Sequence, residues 1–216
     1  MTTKILQDKI AIVTGGTTGI GRATAIALAQ AGATVVVSGR RKKEGEETLA
    51  LLKKAGGKGL FVAADVAVAA DVAHLVDTTV KTYGRLDLAF NNAGIESAVV
   101  APTHDQDDAD FDKVFAINVK GVYLSMKHEI AAMLRTGGGA IVNTSSASGL
   151  VGWKGLACYS ASKAAVVQLT KSAALDYARR LKTLADVVRD LLFDRFGETD
   201  ELPVNVREPA EEGAAS

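Results

Sequence analysis

The chain has 216 residues, enough for one sizeable domain, and 48% of them are hydrophobic. Its 25 basic and 25 acidic side chains give a formal net charge of zero, which argues against nucleic acid or an anionic membrane as the main partner, because both attract a basic surface. The single cysteine, Cys158, excludes an intrachain disulfide. With no leader-peptide pattern and no apolar run of bilayer length, we expect a soluble, cytoplasmic protein.

Short apolar segments alternate with longer segments of helical periodicity over roughly the first 180 residues. The predicted strands are 9–14, 34–38, 59–63, 86–90 and 140–144. The predicted helices are 20–31, 42–55, 70–83, 111–134 and one that begins at Ser160. The strands are apolar on both faces, which is typical of a parallel sheet covered by helices on either side. We therefore predict a single α/β domain over 1–180 with a doubly wound parallel sheet, whose ligands bind at the carboxyl ends of the strands.

A glycine-rich segment, TGGTTGIG from Thr14 to Gly21, joins the first predicted strand to the first helix. The backbone N–H groups at a helix N-terminus bind anionic phosphates, provided that no side chain obstructs them. We expect Gly15 to allow the turn, Gly19 to let the backbone approach a pyrophosphate, and Gly21 to let the helix pack closely on the strand. The predicted binding loop also includes Thr17 and Ile20.

Four further motifs follow in order. Asn91-Asn92-Ala93-Gly94 comes after the fourth strand, Asn118 lies inside the long helix in Ile117–Gly121, Ser146 follows the fifth strand, and Tyr159 precedes Lys163 by four residues. Together with the glycine spacing, they make the chain from about residue 9 to 180 resemble the classical short-chain dehydrogenase/reductase family. The resemblance implies a Rossmann-like fold, a nicotinamide cofactor, and hydride transfer between that cofactor and a secondary alcohol or ketone.

The resemblance also implies a role for each catalytic residue. Tyr159 acts as general acid/base, and Lys163, on the same helix face, favours the phenolate and binds the nicotinamide ribose. Ser146 hydrogen-bonds the substrate oxygen, because the family's serine lies thirteen positions before the tyrosine, a spacing that disfavours Ser145. Asn118 holds a water in the proton path. The alternative for Asn118 is a polar side chain that simply faces solvent.

Several residues bear on the cofactor. The residues expected to contact it include Asn92, Ala93, Gly94, Tyr159 and Lys163, and Asp65 and Val66 resemble the pair that flanks the adenine ring. The second strand ends without a carboxylate for a ribose 2′-hydroxyl and continues into Arg40 and Arg41, whose guanidinium groups suit a 2′-phosphate. We therefore predict NADP, with NAD possible; the alternative is that these arginines only begin a solvated helix.

Other polar groups predict no metal site. The carboxylates of Asp105, Asp107, Asp108, Asp110 and Asp112 lack the glycine and glutamate of a calcium loop, and Asp enrichment at a helix N-terminus explains them better. The three histidines are dispersed. Residues 150–156, with Trp153, line the substrate side or form a structural loop; both interpretations remain open.

The tail, 181–216, departs from the family, which continues with a sixth strand and a segment that closes over the nicotinamide. Helical spacing extends to about Phe196, residues 203–207 suggest a short strand, and the end is polar. The tail could complete the fold unusually, reflect a truncation or fusion, or leave a partner to cover the pocket. The alternative function is accordingly a catalytically impaired nucleotide-binding protein or a fragment. The family's pairing through two long helices predicts a homodimer.

Overall fold

The computed structural model describes residues 4–177, which form one α/β domain. The strands are β1 (Ile10–Thr14), β2 (Thr34–Gly39), β3 (Lys58–Ala63), β4 (Leu88–Asn91) and β5 (Ala140–Asn143). The helices are α1 (Gly19–Gln30), α2 (Lys42–Lys54), α3 (Ala69–Tyr83), α4 (Asp108–Phe115), α5 (Gly121–Arg135) and α6 (Ala157–Tyr177). Every predicted strand and helix within this range is present, with ends that shift by a few residues.

The five strands form a parallel sheet in the order β3-β2-β1-β4-β5. The chain therefore builds outward from β1 to β3 and then returns to the other side of β1. The carboxyl ends of β1 and β4 meet at this reversal, with Thr14 in register with Asn91. In doubly wound sheets the crevice at such a reversal is where ligands bind. The predicted fold is confirmed.

Two apolar clusters cover the two faces of the sheet. On one face, Ala11, Val13, Val35 and Val37 pack with Ala25 and Leu52 of α1 and α2. On the other face, Ile12 and Val36 pack with Leu75 of α3 and Met133 of α5. Successive side chains of a strand point to opposite faces, so β1 and β2 need apolar residues at every position, and their central residues are buried throughout.

The prediction of one continuous helix at 111–134 is wrong, because the helical segment is longer and is divided. It begins at Asp108, as α4, and a π-helical turn at Ala116–Lys120 separates α4 from α5. Asp107 caps α4 by accepting a hydrogen bond from the N–H of Ala109, at 3.0 Å. A helix N-terminus therefore lies within the cluster of aspartates at 105–112, as predicted. Hydrophobic periodicity does not distinguish a π turn inside a helix, because the pattern is nearly the same on both sides of it.

The last described helix, α6, begins at Ala157, three residues before the predicted start at Ser160. The predicted features of the tail, from 181 onward, lie outside the described residues. Among helices within residues 4–177, none is long and apolar enough to cross a membrane.

Candidate active site

A cleft opens at the carboxyl ends of β1, β2, β3 and β4. It is lined by Gly15, Thr17, Thr18, Gly39, Arg40, Arg41, Ala64, Asp65, Val66, Asn92, Ala93, Gly94, Ile95 and Ile117. Nine of these residues were predicted to bind the cofactor. The predicted Gly19, Ile20, Gly21, Tyr159 and Lys163 lie beside the cleft or behind its wall rather than in its immediate lining.

The glycine-rich turn depends on close backbone approaches. Gly15 has φ +63°, and a Cβ there would lie 2.8 Å from the Cα of Ala93. A Cβ on Gly21 would lie only 2.3 Å from the carbonyl oxygen of Gly15. Gly19, with φ +53°, has open space where its side chain would be. The turn is therefore packed tightly behind and open at the N-terminus of α1, where no side chain caps the helix.

The end of β4 is tied to this turn. The Thr14 hydroxyl accepts from the backbone N–H groups of Asn92 and Ala93, at 3.1 and 3.3 Å. The Asn92 side-chain amide donates to the carbonyl of Gly15, at 3.3 Å. These bonds join the two sides of the cleft between β1 and β4, where the order of the strands reverses.

A guanidinium group braces the same turn from α1. Arg22 donates to the carbonyl of Thr17, at 2.6 Å, and to the hydroxyl of Thr48 on α2, at 2.8 Å. The single proton of the Thr48 hydroxyl has two acceptors, the carbonyls of Glu44 at 2.9 Å and of Thr17 at 3.2 Å. The turn is thus held from behind by side chains that the sequence analysis did not identify.

Arg40 and Arg41 follow β2 and line the cleft. Arg40 is 60% exposed, and its guanidinium lies 3.6 Å from the carboxylate of Asp65, which follows β3. Arg41 donates to the hydroxyl of Thr18, at 3.0 Å, and pairs with Glu44 at 3.6 Å. The arginines therefore stand over the cleft on weak, exposed contacts that an incoming anion can replace.

Asn118 lies on the π turn and is completely buried. Its Oδ1 accepts from the N–H of Ile95 at 2.9 Å, and its Nδ2 donates to the carbonyl of Ile95 at 2.9 Å and to the hydroxyl of Ser162 at 3.0 Å. The solvent-facing alternative is therefore wrong. Both N–H groups of the side chain have partners, so Asn118 joins the loop after β4 to α6.

Tyr159 and Lys163 lie one turn apart on α6, with the Lys163 Nζ 5.8 Å from the centre of the tyrosine ring. The Lys163 side chain is buried, and its Nζ donates to the carbonyl of Thr144 at 2.9 Å. Burial lowers the pKa of Lys163 below its usual value. A Cβ on Gly94 would lie 3.4 Å from this Nζ, so the amine sits directly behind the wall of the cleft.

The two serines after β5 have different tasks. Ser145 donates its hydroxyl to the carbonyl of Lys163, at 2.9 Å, and so anchors α6. The Oγ of Ser146 instead accepts from the N–H of Ser148, at 3.2 Å, and caps a short turn at Ala147–Gly149. Because Ser146 accepts in this contact, its own O–H remains available to donate. The choice of Ser146 over Ser145 as the catalytic serine stays a prediction.

A buried acid lies below the ends of β4 and β5. Glu129 of α5 is 1% exposed and accepts from the side chain of Asn91, at 2.8 Å; Asn91 also donates to Asn143, at 3.0 Å. Burial raises the pKa of Glu129 to about 7, more than the bond from Asn91 lowers it. The sequence analysis missed this residue, because a glutamate inside a helical pattern is usually solvated.

Several cleft residues were missed as well, namely Thr18, Gly39, Ala64, Ile95 and Ile117. Each is a neighbour of a predicted residue along the chain. The available signal was therefore proximity to the motifs, since the side chains themselves are small or apolar.

Comparison with known proteins places the chain in a family. A family model described as short chain dehydrogenase matches residues 9–184. The chain is 42% identical over 171 residues to an uncharacterized oxidoreductase of Thermotoga maritima, covering 79% of this chain and 66% of that protein. It is 43% identical over 174 residues to a 3beta-hydroxysteroid dehydrogenase of Mediterraneibacter gnavus, covering 81% of this chain and 62% of that protein.

Solved structures agree with this placement. The crystal structure of levodione reductase matches with a TM-score of 0.78 and 37% identity, over 81% of this chain and 68% of the other. That of an NAD+-bound xylitol dehydrogenase matches with a TM-score of 0.79 and 34% identity, over 82% of this chain and 68% of the other. The chain spans about two thirds of the length of these relatives. On its sequence, its fold and the arrangement at its cleft, it belongs to the short-chain dehydrogenase family.

Proposed function

We propose that the protein is an NADP-dependent oxidoreductase that interconverts a secondary alcohol and a ketone, with Tyr159 as general acid/base. The observation that carries the proposal is the position of Lys163, whose Nζ lies 5.8 Å from the Tyr159 ring and directly behind Gly94 of the cleft. A helix pair with this spacing is common, and its placement against the wall of the cleft supports a functional role for it.

The cleft fits a dinucleotide. The turn at 15–21 presents an uncapped helix N-terminus with open space at Gly19, which suits a pyrophosphate. Asp65 and Val66 border the position proposed for the adenine ring, and Asn92, Ala93 and Gly94 border that of the nicotinamide half. When bound, the nicotinamide accepts or donates the hydride.

The charges at the cleft favour a 2′-phosphate. Arg40 and Arg41 are its cationic lining residues and Asp65 its acidic one. Arg40 pairs with Asp65 at 3.6 Å, an exposed contact worth at most about 1 kcal/mol, so a phosphate can outcompete it. Guanidinium groups bind phosphate through several N–H groups at once, which supports NADP over NAD.

The catalytic residues can move one proton. In the oxidation direction, the Tyr159 phenolate takes the proton of the substrate hydroxyl, and in the reduction direction it returns it to the ketone oxygen. The cationic Lys163 favours the phenolate form and is itself oriented by the Thr144 carbonyl. Ser146 donates to the substrate oxygen, where negative charge develops. We retain the predicted role of Asn118 in holding a water. Because both N–H groups of its side chain already have partners, we propose that the backbone of the π turn binds this water.

The substrate side supports an apolar carbon skeleton. Leu150 is 76% exposed and Trp153 is 55% exposed, on the loop between Ser146 and Tyr159, so neither belongs to the core. Val99 and Val100, after β4, are also exposed. Two relatives carry the names 3beta-hydroxysteroid dehydrogenase and cyclohexanol dehydrogenase, the latter from an Acinetobacter species and 41% identical over 172 residues. We therefore propose a cyclic, apolar alcohol or ketone.

The test is a titration followed by turnover. NADPH and NADH fluorescence are titrated with protein, and the tighter nucleotide is then used with cyclohexanone, cyclopentanone, a 3-ketosteroid and a polar ketose. We expect tighter binding of NADPH and turnover of the apolar ketones. Binding without turnover of any ketone would favour the impaired nucleotide-binding alternative, and failure to bind either nucleotide would exclude both.

Two further predictions concern assembly and location. A homodimer through α5 and α6 is supported by exposed apolar residues on these helices, Tyr123, Leu134 and Leu175. Light scattering after size exclusion would give the mass of a dimer. A cytoplasmic location stays a prediction from the composition.

A further inference from the structure

One side chain connects three backbone segments around the catalytic helix. Gln106 lies between a short turn at Thr103–Asp105 and the start of α4. Its Nε2 donates to the carbonyl oxygens of Ala101 and Gly155, at 3.2 Å each. Its Oε1 accepts from the N–H of Cys158, at 3.3 Å. Both N–H groups and the carbonyl of this amide therefore have partners.

The bond to Cys158 meets a need of α6. Its first intrahelical bond runs from the N–H of Ser160 to the carbonyl of Leu156, at 2.8 Å, so Leu156 occupies the N-cap position. A leucine has no side-chain oxygen and cannot cap a helix. Gln106, 52 residues away in the chain, supplies the missing acceptor. The N–H that it accepts from belongs to Cys158, the residue immediately before Tyr159.

The other two bonds join the loops that flank the catalytic residues. The loop after β4 and the loop after β5 already meet where the N–H of Ala101 donates to the carbonyl of Gly155, at 3.2 Å. Gly155 has φ +78°, and a Cβ there would lie 2.6 Å from Val100. Gln106 donates to both of the carbonyls at this junction and so fixes the separation of the loops.

We propose that Gln106 is a positioning residue for Tyr159: it caps the helix that carries the tyrosine and ties together the two loops beside it. The proposal rests on the proposed function, in which Tyr159 transfers the proton. The two tasks are separable, since capping uses the carbonyl oxygen of the Gln106 amide and joining the loops uses its two N–H groups. We expect the cap to govern kcat, through the placement of Tyr159, and the bonds between the loops to govern the KM of the substrate.

Two substitutions separate these tasks. Gln106→Leu removes the acceptor and the donors, whereas Gln106→Glu keeps an acceptor for Cys158 and loses both donors. Gln168→Leu is the matched control, because Gln168 is an exposed glutamine of α6, away from the site. The measurements are amide hydrogen exchange at Cys158 and Ser160 by NMR, kcat and KM for a ketone, and the Kd of NADPH.

For Gln106→Leu we expect exchange at these amides to rise on the order of tenfold, as for a lost cap, and kcat to fall by a similar factor, with the Kd of NADPH within about twofold of wild type. For Gln106→Glu we expect wild-type exchange and kcat but a KM raised several-fold. Gln168→Leu should resemble wild type in all four measurements.

Three results would overturn the proposal: wild-type exchange in Gln106→Leu, faster exchange with an unchanged kcat, or an equal loss of kcat in the Leu and Glu variants. Loss of NADPH binding in Gln106→Leu would also overturn it, since the effect would then be a general loss of structure. If the wild-type chain turns over no ketone, the proposed function fails, and the exchange rates still decide whether Gln106 caps α6.

Discussion

The two halves of the cleft are built in different ways. On the nucleotide side, the turn at 15–21 is shaped by backbone approaches at Gly15 and Gly21, within a few residues of chain. On the catalytic side, distant segments are joined by side chains: Asn118 joins the loop after β4 to α6, and Ser145 joins the loop after β5 to α6. The shape of the nucleotide-side turn therefore depends on the absence of side chains at its glycines, whereas the catalytic side depends on side chains that join distant segments.

This difference explains why the two sides respond to different changes. The close backbone approaches at Gly15 and Gly21 involve no titratable group, so they should not depend on pH. The catalytic side includes the buried Lys163, and Glu129 is buried below the end of β4, where Asn91 donates to it; both have shifted pKa values. We therefore expect side-chain truncation and pH to affect the catalytic side, and added bulk to affect the nucleotide side.

Removal of the Tyr159 hydroxyl should have the largest effect. Tyr159→Phe removes the proton donor and acceptor, and general acid/base groups typically contribute 10²–10⁴-fold, so we expect kcat to fall by about that factor. The Kd of NADPH should stay within about twofold, because the variant keeps the aromatic ring and leaves the Lys163 amine behind Gly94. The control is Tyr123→Phe, at an exposed tyrosine of α5. A Tyr159→Phe variant that keeps more than about a tenth of wild-type kcat would contradict the assignment.

Glu129 should make stability depend on pH. Its pKa is about 7 in the folded protein and 4.5 ordinarily, so well below pH 4.5 the carboxyl is protonated in both states and does not alter the free energy of unfolding as pH changes. Between 4.5 and 7 the unfolded chain ionises while the folded protein retains its proton, so the free energy of unfolding falls, by up to roughly 3 kcal/mol above pH 7. Glu129→Gln should remove this loss, giving a variant that is more stable than wild type at pH 8 but not at pH 4.5.

Thermal melts across this pH range test the prediction. Glu46→Gln, at an exposed glutamate of α2, is the control and should keep the wild-type pH dependence. Identical pH slopes for wild type and Glu129→Gln would show that folding does not raise the pKa of this carboxyl.

Added bulk should damage the nucleotide side. Gly21→Ala places a Cβ 2.3 Å from the Gly15 carbonyl, so the turn must shift, and overpacking of this kind costs about 1–3 kcal/mol of unfolding free energy. NADPH binding should weaken with it, because the same carbonyl belongs to the turn. Gly152→Ala has open space around the new Cβ and should leave the melting temperature unchanged. Wild-type stability in Gly21→Ala would mean that the turn relaxes without cost.

The same contrast explains what sequence reasoning could find. The glycine turn was predictable because its determinants are contiguous and act through backbone geometry, and the five strands because each is a short apolar run. The π turn at Asn118 was not, since the bonds that its side chain makes go to Ile95, 23 residues away. The early start of α6 was missed for a similar reason: its N-cap position holds a leucine, and the capping acceptor belongs to Gln106. Interactions between side chains distant in sequence leave no local pattern.

Arg40 offers the finest test of this difference between the two sides of the cleft, because it contributes an exposed side chain to the side that is shaped mainly by backbone. Arg40→Ala should weaken NADPH binding by about five- to tenfold, as expected for one exposed charge-assisted contact, and leave NADH binding within about twofold. The wild-type preference for NADPH should shrink as salt rises, since the contact is solvent-exposed. Lys43→Ala removes the same charge from a residue of α2 outside the cleft lining and should change neither Kd. An equal loss for both nucleotides in Arg40→Ala would assign the arginine to the shape of the cleft, through its pairing with Asp65, rather than to the 2′-phosphate.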